Sequence, residues 1–266
     1  MHFQNMLDFS FEENKLWSSR LYISGLLLMA AALPFSNFMM SISQFVLAAG
    51  WLAGGNIKKK LTSFLHNKIA LIVCSVFLLH LIGLVYTSDI AYGLKDLRNK
   101  LPLFVLPFLM ATGKPLSRNA FDLLMAVFVL FVLAASLVST AILLGIIDHP
   151  VNDIRDISVF ISHIRFSLLI CLAIFICGWI LHSRFKTDSW LKKTMLIGLI
   201  VWLILFLVIL ESITGLLILT GTSIILLLYF AFRQKKLSVK IAYVLLITGI
   251  PAALCYYVKG MVTKTT

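Results

Sequence analysis

The chain has 266 residues, 61% of them hydrophobic and 13% charged, with a formal net charge of +12, and its mean hydropathy is +1.01. Soluble domains run near 45–50% apolar and about a quarter charged, so this composition excludes a water-soluble enzyme, a nucleic-acid-binding module and a disordered chain. What remains is an all-α, polytopic integral membrane protein, whose positive charge belongs in cytoplasmic loops and requires no nucleic acid.

Residues 1–20 precede the first apolar run. Asp8, Glu12 and Glu13 stand ahead of that run without a basic segment before it, unlike a secretory signal peptide. Phe3, Leu7, Phe11, Leu16 and Trp17 suit a short amphipathic helix on the inner leaflet, and a solvated tail serves equally well. One membrane crossing needs about 20 apolar residues. Residues 21–54 carry no charge and are too long for one crossing; Pro34-Phe35-Ser36-Asn37 divides them into a hairpin of two short spans. Residues 69–86 give a third span. Residues 101–112 give a short fourth, opened by Pro102 and bent at Pro107, and residues 120–147 and 164–181 the fifth and sixth. Residues 194–232 hold a single charge, Glu211, and as one helix they would reach about 58 Å. Two spans joined at Glu211-Ser212-Ile213-Thr214-Gly215 fit better. Residues 239–257 make a ninth. The predicted organisation is a cytoplasmic segment 1–20, a helical domain 21–257 and an outer tail 258–266.

With the N-terminus in the cytoplasm and nine crossings, the outer segments hold Lys95, Arg98, Lys100, Arg155, Arg165, Lys259 and Lys264. The other sixteen of the 23 Lys and Arg lie inside, as the positive-inside rule requires. The C-terminus then emerges outside. Cys74, Cys171, Cys177 and Cys255 all fall in apolar runs without a CxxC pair, a pattern unlike a zinc site or a disulfide framework. His80, in the third span, has no second ligand at a useful spacing, so no metal is expected there; a hydrogen bond to a neighbouring helix is.

The outer loops carry the candidate chemistry. A cation at a helix N-terminus opposes the macrodipole, and an anion bound there reverses the sign of that conflict. Arg98, Lys100 and Arg165 are therefore candidates for binding a phosphate or diphosphate, against the alternatives of snorkelling to lipid headgroups or pairing with Asp96, Asp153 and Asp156. His163, Arg155 and Ser212 are secondary candidates. His163 and Arg165, two residues apart, point to sides of a helix about 200° apart, and Arg165, deeper in the apolar run, ranks first. Ser158 or Ser162 can cap that helix. Glu211 suits a helix start, with Ser212 as its cap, and is a weak candidate for a catalytic general base.

Four stretches resemble the bacterial O-antigen ligase family, which shares its membrane core with O-antigen polymerases: Leu33-Pro34-Phe35-Ser36, YTSDIAYGLKDLRNKLPLFVLPF at 86–108, SHIRFSLLICLAIF at 162–175 and ESITGLLIL at 211–219. The resemblance covers most of the chain, through short motifs. It implies a membrane glycosyltransferase-like fold in the bacterial inner membrane. It implies a metal- and cofactor-independent, inverting transfer of a glycan from undecaprenyl diphosphate to a lipid A core or similar acceptor, with arginines neutralising the departing diphosphate. The chain departs from the family twice. Ile213 stands where the family's Ser-Arg-Thr-Gly motif has arginine, and the large outer loop expected to carry a catalytic histidine would begin only at VKGMVTKTT. A catalytically inactive fragment or membrane partner that still binds polyprenyl diphosphate is therefore an alternative, and a transporter or flippase subunit another. The span interiors offer such a transport path little beyond His80, Ser136, Ser139, Thr140 and Thr220.

Overall fold

A computed structural model describes residues 2–151, 153–183 and 189–233, with side chains from residue 16 onward. Among these residues the chain is helical, without strands. Five helical segments are long and apolar enough to cross a membrane: Lys68–Tyr86, Arg118–Leu143, His163–Ser183, Trp190–Ile209 and Ile213–Arg233. The ninth expected span, 239–257, the tail with Lys259 and Lys264, and the basic residues Arg184, Lys186, Lys235, Lys236 and Lys240 lie outside the described residues.

The contacts divide the chain into two units, Met1–Val127 and Phe128–Thr266. In the first, α1 (His2–Ala32) takes in the N-terminal segment and the first apolar run as one helix. The break expected at Pro34 is present. α2 (Asn37–Ala53) begins after Ser36, whose hydroxyl accepts from the Met39 N–H at 3.3 Å. The α1–α2 hairpin packs backbone to backbone. A Cβ added at Gly25 would stand 2.7 Å from Leu47 N, and one at Gly50 would stand 2.5 Å from Tyr22 N. Small residues at such a crossing let the helices approach closely enough for extensive dispersion contact, the main attraction available between helices in lipid.

Gly55 and Asn56 both take left-handed backbone, φ 63 and 55, a conformation open to glycine and tolerated by asparagine. They turn α3 (Ile57–His66) by 112° away from α2. α4 (Lys68–Gly83) starts at an Asn67 cap, with Ala70 N–H donating to Oδ1 at 3.1 Å, and tightens into a 3-10 turn at Leu84–Tyr86. The predicted outer loop after it is instead mostly α5 (Ile90–Lys100), capped by Asp89. The expected fourth span is α6 (Pro102–Thr112), 11 residues long. That length rises about 16 Å, half of a hydrocarbon core. α6 packs on α3 and α4 through Phe104 and Phe108, whose rings meet Phe64 at 6.4 and 4.9 Å.

The unit boundary falls inside α7 (Arg118–Leu143). In the second unit α8 (His163–Ser183) packs against α9 (Trp190–Ile209) and α10 (Ile213–Arg233). Phe166 and Phe206, both buried, meet with ring centroids 5.6 Å apart. Trp202 Nε1 donates to Ser136 Oγ at 2.9 Å, which itself donates to Leu133 O, and Thr140 donates to Ser136 O at 2.8 Å. The hydroxyls of Ser136 and Thr140, considered above as a possible transport path, are thus occupied within the helices, while Ser139 is buried with no bond among the described residues.

Candidate functional site

Arg98 and Lys100 sit in the last turn of α5. That is the negative end of a helix, where a cation is favoured. Because residues 90–100 are helical, the α5 dipole favours both cations, while Lys100 also directly precedes Leu101, the N-cap of the next helix. Lys100 Nζ donates to Asp96 Oδ2 at 2.6 Å, an i,i+4 pair with both side chains about a third exposed. Arg98 is exposed, and it makes no ion pair among the described residues. Asp96 also lines a cavity of about 350 Å3 together with His80, Thr87 and Tyr92. His80 does not reach a neighbouring helix. Its Nδ1 lies 2.7 Å from Val76 O, one turn back in α4.

Arg165 does lie in the first turn of α8, the positive end, and is exposed. Ser162 supplies the carbonyl that receives Phe166 N–H at 3.0 Å, whereas Ser158 donates to Ile161 O at 2.8 Å within the preceding turn. Arg155 belongs to a one-turn 3-10 helix, Ile154–Ile157, closed by a reciprocal Asp153–Asp156 capping box, with its Nε 3.9 Å from Asp153 Oδ1.

At the α9–α10 joint, Glu211 holds a left-handed backbone, φ 51, and is half-buried. Ser212 is buried and opens α10, as expected: Gly215 N–H reaches its Oγ at 3.4 Å and Leu216 N–H its carbonyl at 3.0 Å. Ser212 Oγ also donates to Ser167 Oγ at 2.9 Å, and Cys171 Sγ contacts Gly215 O at 3.3 Å. A Cβ at Gly215 would stand 2.6 Å from Ser167 Cβ, so only glycine permits this approach. The start of α8 and the α9–α10 joint, read as separate motifs in the sequence, are thereby one packed locus. Its α8 face is that of Ser167 and, four residues before it, half-buried His163. Arg165, two residues from each, projects from the opposite side.

A second basic locus had no single sequence motif. In the first unit a cavity of about 350 Å3 is lined by Lys59, Lys60, Lys114, Ser18, Ser63, Tyr22, Trp51 and Thr112, with no Asp or Glu among its described lining. Lys60 Nζ donates to Trp51 O and lies 4.3 Å from the centre of the Trp51 ring. Lys114 Nζ donates to buried Ser18 Oγ at 3.3 Å. Desolvation lowers the Lys60 ammonium from its ordinary value of 10.5, and the Lys114 charge lowers it further. Trp51 Nε1 donates to Thr112 Oγ1 at 2.8 Å and Tyr22 OH to Leu109 O at 3.3 Å, so α1, α2 and the end of α6 are tied together under the lysines. The run Lys58-Lys59-Lys60 is plain in the sequence. That Lys60 meets Lys114, 54 positions away, follows from the α3 bend and the α6 packing.

Among the described residues no three His, Cys, Asp or Glu side chains converge as a metal site would require, and Cys74, Cys171 and Cys177 are free and buried. In comparisons with known proteins, no family model, no curated protein and no solved structure matches this chain.

Proposed function

We propose that this chain is an inner-membrane protein of the O-antigen ligase type, which binds a polyprenyl-diphosphate-linked glycan at the membrane's outer face and passes the glycan to an acceptor such as a lipid A core. The reading includes the nine-span topology with a cytoplasmic N-terminus. The observation that carries it is the Ser167–Ser212 contact, which brings the stretches 162–175 and 211–219 together at one end of α8. Beside that contact stand half-buried His163 and half-buried Glu211, while exposed Arg165, on the opposite side of α8, offers a diphosphate its guanidinium at the helix N-terminus. An arginine fork at a helix start meets phosphate oxygens with both its N–H groups and the dipole in favourable orientation. Arg98 and Lys100 are the candidate anion-binding cations of the first unit.

A binding role without transfer is the second reading. It is favoured by Ile213, 38% exposed as the first residue of α10, because an aliphatic side chain there cannot pair with a leaving diphosphate.

The test is binding of undecaprenyl diphosphate to the full chain in nanodiscs. Arg165→Ala is expected to weaken it about tenfold, the worth of a charge-assisted hydrogen bond. Unchanged affinity in both Arg165→Ala and Arg98→Ala would refute the diphosphate role. Binding without transfer of a glycan from the same carrier would select the second reading.

A further inference from the structure

The lysine cavity of the first unit lies at the opposite end of α4 from the cavity beside α5. One is lined by residues of α3, which precedes α4, and the other by residues from the end of α4 onward. It takes no part in the glycan reading above. Three of its features converge. Among the described residues its charge is of one sign: Lys59, Lys60 and Lys114 line it, and hydroxyls from Ser18, Ser63 and Tyr22 add neutral donors. Its lysines are held in place. Lys60 is fixed over Trp51 and Lys114 on Ser18, and a Cβ at Gly54 would stand 3.2 Å from Lys60 Nζ. Its floor is closed, since a Cβ at Gly113 would collide with the Tyr22 phenol.

The location also points to a ligand source. α3 turns 112° from α2 and exposes Ile57, Leu61 and Leu65 at four-residue spacing, with buried Phe64 at the edge of the same apolar face. A helix with such a stripe and a run of lysines lies in the membrane interface. A shallow apolar crease of Ile23, Leu26, Leu27, Leu116, Ala120 and Leu124 starts one residue on from Tyr22 and from Pro115, both of which line the cavity. Multiple ammonium groups and hydroxyls around one space suit an anion with several oxygens.

We propose that Lys59, Lys60 and Lys114 form a binding site for a phosphate group, presented by the headgroup of an anionic phospholipid at this end of the first unit. Free phosphate offers the same chemistry, so the experiment separates the two sources.

Native mass spectrometry of the full chain in detergent, with phosphatidylglycerol and phosphatidylcholine offered together, reads retention directly. The intact protein is expected to keep phosphatidylglycerol in preference, and Lys59→Gln/Lys114→Gln to lower that preference about tenfold or more. Lys58→Gln removes from α3, outside the cavity lining, the same single charge as Lys59→Gln and is expected to leave the preference unchanged. If glycerol 3-phosphate or inorganic phosphate at millimolar concentration binds and no lipid is retained, the site stands and its ligand is soluble. Equal retention of both lipids with no phosphate binding overturns the proposal, and so does an equal loss in Lys58→Gln, which would reduce the effect to general attraction. Should the double variant melt at a lower temperature, the exposed single variant Lys59→Gln carries the same comparison.

Discussion

The two ends of the first unit are both basic, and they handle charge in different ways. At the α5 end, Lys100 is answered by Asp96 one turn earlier in the same helix, and both it and Arg98 sit where the helix dipole favours a cation. At the α3 end, Lys60 and Lys114 come from distant parts of the chain, and desolvation, then the Lys114 charge, disfavours the Lys60 ammonium beside a cavity without a carboxylate in its described lining. The first arrangement is local and survives as long as α5 does. The second exists only while α1, α2, α3 and α6 stay packed. Charge balanced within a turn needs only its own helix; like charge gathered by tertiary structure needs several.

Three measurements test that contrast. The largest effect is expected from Gly50→Val. Its Cβ would meet the Tyr22 backbone, and overpacking of this kind costs about 1–3 kcal/mol or more. The thermal midpoint of the full chain in detergent should fall, and the Lys60 amine should become more reactive to acylation while Lys100 is unchanged. Equal reactivity changes at both lysines would erase the distinction between the two ends.

A smaller effect should come from pH. The folded Lys60 pKa lies below its unfolded value, so between the two values the unfolded chain binds more protons, and stability rises as pH rises through that window toward 10.5. Lys114→Gln removes the Coulombic part and leaves desolvation. Its gain in melting temperature over the same alkaline range should therefore be smaller than that of the intact protein. An identical pH profile would show that the two ammonium groups do not sense each other.

The smallest effect belongs to Asp96→Asn. An exposed i,i+4 pair is worth about 0.3–0.5 kcal/mol, so the melting temperature should barely move and the phosphatidylglycerol preference not at all. A large loss would mean that the α5 end, too, depends on tertiary packing.

The same division explains what the sequence made legible. The hairpin break at Pro34-Phe35-Ser36-Asn37 and the joint at Glu211-Ser212 were readable because length, proline and caps are local properties of the chain. The five long apolar helices were readable from hydropathy alone. α5 was not, because IAYGLKDLRNK mixes charge and apolar residues over only 11 positions and reads as a polar connector between spans. α6 was legible as a short apolar helix, because Pro102 opens it one residue into the run 101–112. At the candidate site, the residue types at 163, 165, 211 and 212 were visible, while the Ser167–Ser212 contact that groups them depends on the missing side chain of Gly215. His163 shares the face of Ser167 toward the joint, and Arg165 does not.

The cavity shared by His80 and Asp96 has a consequence for the surrounding lipid. His80 stands six residues before Tyr86, which by helical rise is about 9 Å short of the end of that span. The cavity that Asp96 also lines therefore reaches back along a helix long and apolar enough to cross a membrane, where the rest of that helix presents leucine and isoleucine. A bilayer accommodates such a mismatch by thinning or by drawing headgroups inward. The protein should thus carry a dimple in the leaflet beside α5, through which water and lipid headgroups descend to meet it.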